Sequence, residues 1–288
     1  MTATAEITAI VPWFGSKRIL APRIVERFPP KHRLYYEPFC ASLAVYMAKP
    51  RSPMEIVNDK HGDVVNLARV LAHRTAGAAF YRSARRLICS QAELEAAAAA
   101  CVPRQRDPAP AEPCVERALE FFTYSWLGRN GTVGSTAGVN FCTRYTANGG
   151  SPAKRFRSAV DSIPFWRDRL RDAVITNLDA FVELPKMDDA DSTVIYCDPP
   201  YFEKGQDYLH DFAKPDHDWL AEILSGFRRA TVVVSYYDHP EVRRLYPPDH
   251  WEFHAVPIAK SLVKAGQRGG GENPTAPEVL IVNRPMGA

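Results

Sequence analysis

Residues 193–202 read Thr-Val-Ile-Tyr-Cys-Asp-Pro-Pro-Tyr-Phe. Val194, Ile195 and Tyr196 form a short apolar run of β-forming side chains, the pattern of a buried strand. Asp198 precedes a proline and is pushed out of the helical region, while Pro199 and Pro200 have fixed φ and no N–H. The strand therefore ends in a stiff, extended tip. A carboxylate projects from it, and its carbonyls are unopposed by donors. Tyr201 adds a flat aromatic face. In an open α/β sheet such a tip stands outside the carboxyl end of its strand, where ligands bind.

A fixed carboxylate, a fixed carbonyl and an aromatic face suit the exocyclic amine of a nucleobase. The amine lone pair is delocalised into the ring, and acceptors on its two N–H bonds would localise it and aim it at an electrophile. Stacking would hold the base, at about 1–3 kcal/mol. The same residues could also be a plain Pro-Pro turn with Asp198 in solvent, so the rest of the chain has to decide.

Near the start, Trp13-Phe14-Gly15-Ser16-Lys17-Arg18 leads into a short amphipathic helix over 19–25. Gly15 permits close backbone approach and Ser16 is a candidate N-cap. A helix start beside Lys17 and Arg18 could hold an anion or a carboxylate; a capped surface helix is the plainer use. Leu34-Tyr35-Tyr36 reads as the first core strand. It runs into Glu37-Pro38-Phe39-Cys40-Ala41-Ser42-Leu43, a strand-to-helix turn of mostly small residues that lets a cofactor near the backbone. The second strand ends at Asp59, about 20 positions beyond that turn, where an acid can accept from ribose hydroxyls. Its alternative is to cap the helix of Val64, Val65 and Leu67. The third strand, over 174–178, ends at Asp179. Residues 230–235 make a fifth strand, and 251–256 with 279–283 a closing pair.

Between Asp59 and Val174 lies far more chain than the dozen or so residues a crossover needs. Helical pattern runs over 67–87, passes 96–100 and resumes over 115–126, with a Pro-rich surface loop at 103–113. Residues 121–160 contain no Asp or Glu, yet carry Arg129, Arg144, Lys154, Arg155 and Arg157, with Asn130 beside the first. Glycines break this region into loops, with Phe141 and Tyr145 interleaved. Acid-free basic loops suit phosphate contact and groove entry; a solvated basic face is the alternative. A helix over 165–170 leads into the third strand. His210 and His217 fit no zinc-ligand spacing and read as surface residues.

Four pieces in this order resemble the Dam-like DNA adenine-N6 methyltransferases: Trp13-x-Gly15-x-Lys17, Glu37-Pro38-Phe39, Asp59, and Asp198-Pro199-Pro200-Tyr201. The resemblance spans essentially the whole chain outside the insert. Ser16, Ala41 and Leu43 depart from it, standing where glycines are usual. It implies a Rossmann-like methyltransferase sheet with helices on both faces: residues 1–66 and 161–288 form the catalytic domain, and 67–160 an inserted, mostly helical and loop target-recognition region. It implies S-adenosylmethionine, held by Trp13, Gly15, Lys17, Glu37, Pro38, Phe39, Asp59 and Asp179, and double-stranded DNA with its target adenine flipped out. Asp198 and the Pro199 carbonyl would hold the amine, and Tyr201 would stack on the ring. The same fold acting on cytosine N4 or RNA, and a DNA-binding protein that has lost its donor site, remain as rivals.

The bulk properties agree with a globular enzyme. The 288 residues are 46% hydrophobic and 24% charged, with formal net charge +3, so any polyanion contact depends on where charge is placed. Six cysteines without a C-x-x-C pair suggest reduced thiols. No signal segment or long apolar run opens a route to the membrane, which points to the cytoplasm. A cognate restriction nuclease would act as a separate protein. The sequence sets no oligomeric state.

Overall fold

The computed structural model describes residues 7–128, 140–141, 150–202, 212–256 and 278–284. Seven strands form one sheet: β1 (Leu34–Glu37), β2 (Met54–Asn58), β3 (Val174–Thr176), β4 (Thr193–Cys197), β5 (Thr231–Tyr237), β6 (Trp251–Val256) and β7 (Glu278–Asn283). Their spatial order is β3-β2-β1-β4-β5-β7-β6. The neighbours from β3 to β5 pair in parallel, and β7 runs antiparallel between β5 and β6. This is a Rossmann-like sheet whose order reverses between β1 and β4. Loops leaving two such strands diverge to opposite faces and open a crevice at their carboxyl ends. Glu37 ends β1 and Asp198 follows β4, so the two most distinctive sequence motifs arrive side by side at that crevice.

Each face of the sheet carries an apolar cluster. One contains Tyr35, Val57, Val194 and Tyr196 and is covered by the helices Gly62–Ala72, Val115–Leu127 and Pro152–Leu170. Its aromatic centre is Phe122, Trp126, Phe156 and Trp166, with the two indoles stacked at 6.3 Å. The other face packs Ile195, Val232 and Ile281 against Leu220 and Leu224 of the helix Lys214–Ser225. Burial on both sides explains why β4 and β5 are almost wholly apolar.

Three local expectations change. Helix Pro152–Leu170 starts well before residue 165, with Ser151 accepting from the Lys154 N–H as its N-cap. Its apolar positions Phe156, Val160 and Ile163 recur at helical spacing and are buried. Cuts at residues 66/67 and 160/161 therefore fall within helices, and the intervening helices share the core of the sheet. The Pro-rich stretch is strapped down rather than loose: Arg69 donates to the carbonyls of Pro110 and Ala111, and the Ala109 N–H donates to Asn177. Gly62 lies beneath it, where a Cβ would meet the Asp107 carbonyl at 2.3 Å. Ser16 caps nothing; the first helix is Ala21–Val25 with Leu20 as N-cap, and the Ser16 hydroxyl meets that of Ser42 at 2.9 Å.

Candidate active site

Two adjoining cavities occupy the crevice and share Trp13, Phe39, Ala41 and Asp198 in their walls. The smaller, about 30 Å³, lies against Gly15, Lys17 and Glu37. The larger, about 250 Å³, extends past Asp59, Asp179 and Pro200 to the rings of Phe181, Phe212 and Trp219. Trp219 stacks flat on Phe181 at 4.5 Å, an aromatic wall that the Asp-Pro-Pro-Tyr reading did not anticipate.

The turn after β1 is held from several sides. Asn58 donates to the carbonyls of Pro38 and Leu178 and accepts from the Leu178 N–H, locking the tops of β1, β2 and β3 together. The Ala41 N–H donates to Asp59 Oδ2 at 2.7 Å, and the Cys40 N–H to the Asn58 carbonyl at 2.9 Å. Ala41 (φ 40°) and Leu43 (φ 59°) adopt the left-handed backbone that glycine would take more easily. That conformation costs about 1–2 kcal/mol per residue. Leu43 is fully buried, which returns about 1.5–3 kcal/mol, so the strain is offset at that position. Its side chain lines neither cavity.

Asp59 accepts one N–H on each oxygen, from Ala41 and from His61. A carboxylate has about four lone-pair directions, so each oxygen can take a further donor from the cleft. Burial pushes its carboxyl up to about 6 against the backbone N–H groups of His61, Ala41 and Lys60. Asp179 reaches the same cleft while capping the short helix Ala180–Glu183, accepting from the Phe181 N–H.

Lys17 is the centre of the other half. With Gly15 at φ 75° the loop turns back, and Lys17 Nζ donates to the Gly15 carbonyl at 2.8 Å. The same ammonium lies 2.9 Å from Asp198 Oδ2, 3.3 Å from Glu278 Oε1 and 4.9 Å above the Tyr201 ring. The carboxylate that Lys17 holds is thus that of Asp198. Tyr201 is 6% exposed, donates its hydroxyl to Glu278 Oε1 at 2.6 Å and lines neither cavity. Its ring braces the cluster from behind, where the sequence had suggested a stacking face. Asp198 Oδ1 is buried and has no hydrogen-bond partner among the described residues. Burial pushes the Asp198 carboxyl up to about 6, with Lys17 opposing the shift.

Glu278 was not singled out from sequence. The available signal was a lone acid heading the otherwise apolar run Val279–Val282. Arg129, Asn130 and Arg144 lie outside the described residues. Lys154 and Arg157 are exposed, whereas Arg155 donates to the carbonyls of Trp126 and Gly128 and is occupied with holding two helix ends together. His217 is a core residue and not a surface one: it is 2% exposed, stacked on Phe202 at 3.8 Å and hydrogen-bonded to the Tyr236 hydroxyl.

The Glu37 carboxyl is pushed up to about 8 by burial, although Tyr35 donates to it at 2.7 Å. Its ordinary value is 4.5, so near neutrality the folded chain holds a proton that the unfolded chain has released. Stability then falls as pH rises. The buried His217 and the half-buried His32 and His254, whose values burial lowers, act in the opposite sense, but only below their ordinary 6.5. Between about pH 6.5 and 7.5 Glu37 should therefore contribute a slope of about 1 kcal/mol per pH unit. Glu37→Gln is expected to flatten the dependence of melting temperature on pH in that window; parallel profiles for the two proteins would contradict the assignment.

Among the described residues no helix is long and apolar enough to cross a membrane. A model of the D12 class N6 adenine-specific DNA methyltransferase matches residues 13–257. The retron Ec67 DNA adenine methylase of Escherichia coli is 26% identical over 286 residues, 96% of this chain and 92% of that protein. Of solved structures, the rRNA methyltransferase aviRa from Streptomyces viridochromogenes aligns over 92% of this chain and 83% of its own at 15% identity. Its TM-score of 0.36 is too low to bear on the argument. The family match takes in Trp13, Glu37, Asp59 and Asp198 together, and the chain belongs to the D12 class of N6 adenine-specific DNA methyltransferases.

Proposed function

We propose that this enzyme takes its methyl group from S-adenosylmethionine and delivers it to the N6 amine of an adenine turned out of duplex DNA. The observation that carries the mechanism is Asp198, which lines both cavities: one oxygen is pinned by Lys17, and the other is buried with no hydrogen-bond partner among the described residues. That second oxygen would accept one N–H of the amine and the Pro199 carbonyl the other, fixing the nitrogen lone pair in line for attack. Positioning and fixed electrostatics supply most of the rate in such an arrangement.

The cleft suits a nucleoside-bearing donor. It sets the carboxylates of Asp59 and Asp179 within a wall that also carries Phe39 and Phe181, acceptors for hydroxyl and amine groups beside flat rings. Trp13, Gly15, Lys17, Glu37 and Pro38 complete the donor side of the proposal, with Lys17 acting through Asp198. Bound there, S-adenosylmethionine supplies an electrophilic methyl carbon. Adenine N6 lies inside the stack of a duplex, and extruding the base costs a few kcal/mol. Phosphate contacts from the region between β2 and β3, residues 67–160, would offset that cost, and the same region would carry target recognition. A cytoplasmic location belongs to the same reading, and any cognate nuclease would act as a separate protein.

Calorimetric titration with S-adenosylmethionine, followed by transfer of labelled methyl to duplex DNA and digestion to nucleosides, tests the proposal. Label in N6-methyladenine is expected; absence of donor binding, or label only in cytosine or RNA, would overturn it. Asp59→Ala should weaken the donor by about 1.5–3 kcal/mol, the usual worth of a hydrogen bond to a charged group. Equal donor affinity in that variant would leave Asp59 as a brace for Ala41 alone.

A further inference from the structure

The two longest acid-free stretches of the chain both carry arginines. Residues 64–92 contain no Asp or Glu and carry Arg69, Arg74, Arg82, Arg85 and Arg86; residues 121–160 form the second. The fold brings their ends together. Helix Pro152–Leu170 leads into β3, which starts at the amino edge of the parallel sheet, so the helix itself begins at the carboxyl edge, where the crevice lies. Contacts at both ends agree. At the far end Arg169 meets Glu55, at the start of β2. At the near end Arg155 donates to Trp126, whose indole donates to the Ile10 carbonyl, and the Ile10 N–H donates to Ser42 beside the smaller cavity.

Helix Arg74–Ala84 runs antiparallel to this one: Arg167 donates to the Arg74 carbonyl at one end, and Arg157 to the Arg85 carbonyl at the other. Arg82, Arg85 and Arg86 therefore lie beside Lys154 and Arg157 at the crevice end of the molecule. All five are exposed, and none enters an ion pair among the described residues. Of the acids that bound the two stretches, Asp63 and Glu120 pair with Arg104 and Arg117, and Glu93 and Asp161 make no ion pair with the five among the described residues.

We propose that Arg82, Arg85, Arg86, Lys154 and Arg157 form one surface that grips the phosphates of the DNA duplex flanking the target base. This rests on the DNA reading above, and assigns to it a surface of which the sequence had offered only Lys154 and Arg157. Five unneutralised cations on one face repel one another, and a polyanion relieves that repulsion. A duplex carries one charge per about 1.7 Å of its axis, which matches a cluster spread over two helix ends better than any small anion does. Phosphate contacts fix register without reading bases, so the surface should be blind to sequence.

The test is duplex binding across a salt series, comparing parent enzyme with Arg82→Ala/Arg85→Ala/Arg86→Ala and with Lys154→Ala/Arg157→Ala. Each lost phosphate contact flattens log K against log salt by about 0.9, so slopes should fall by roughly 1–3 units in the triple variant and 1–2 in the double. Cognate and scrambled duplexes should weaken by the same factor, and KM for DNA should rise. Arg85 receives the Arg157 contact through its backbone carbonyl, so alanine at 85 keeps it; calorimetry with S-adenosylmethionine at the parent affinity would show that the fold is intact. If the parent binds and methylates duplex while both variants keep its salt slope, this surface fails and the proposed function stands. If the parent binds no duplex, both fail together.

Discussion

Replacing Asp198 with alanine should slow methyl transfer by at least about 10²-fold, the usual cost of removing one oriented electrostatic group from a reacting centre. The reason is positional. Lys17 holds Asp198 Oδ2 at 2.9 Å, and Oδ1 is buried with no hydrogen-bond partner among the described residues, so under the proposed mechanism the substrate amine would meet a fixed acceptor. The loss should appear in kcat, with donor affinity little changed, because the proposed donor contacts are Asp59 and Asp179 and not Asp198. In the parent, protonation of Asp198 below about pH 6 should depress the rate on the acid side. Near-parental turnover in the alanine variant would remove Asp198 from the catalytic assignment.

The second large effect is expected on stability. Lys17→Met removes a buried ammonium lying 2.9 Å from Asp198 and 3.3 Å from Glu278. Breaking such a cluster from one side costs about 3–5 kcal/mol, because the partner charges stay buried without compensation. Asp198 can escape by taking up a proton, so the deficit should be smaller at pH 5 than at pH 8 when measured by urea unfolding. Adding Glu278→Gln to the methionine variant should recover part of the loss, since one of the two stranded charges is gone. A deficit below about 1 kcal/mol at pH 8 would mean that the cluster behaves as a solvated ion pair.

The third strand shows how much of the fold was legible. It is short and only half-buried, and it ends at Thr176, two residues before the end read from sequence. The other six strands were found from period, length and turn residues alone, within a residue or two at their ends. Strand signals are local, because a side chain facing a sheet is buried wherever that sheet is. The pairing of Glu37 with Asp198 at the crevice was legible for a similar reason: both follow strands, and the strand order of an open parallel sheet dictates which ends meet.

What the tertiary structure alone decided are the contacts between residues far apart in the chain. Lys17 was read as a contact for the donor, and its ammonium lies against Asp198. Tyr201 was read as a stacking face, and its hydroxyl is tied to Glu278 across 77 residues. No periodicity encodes such a pairing, since it depends on β7 entering between β5 and β6 and setting its first residue beside the tip of β4. The left-handed Ala41 and Leu43 belong with these. Only the hydrogen bonds that the turn donates to Asn58 and Asp59 and accepts from Ile10, with a buried place for the Leu43 side chain, offset the strained backbone. Sequence by itself determined the sheet, the order of motifs and the class of chemistry, because each is written in runs of neighbouring residues; the cluster behind Asp198 and the basic surface beside the crevice came from long-range packing.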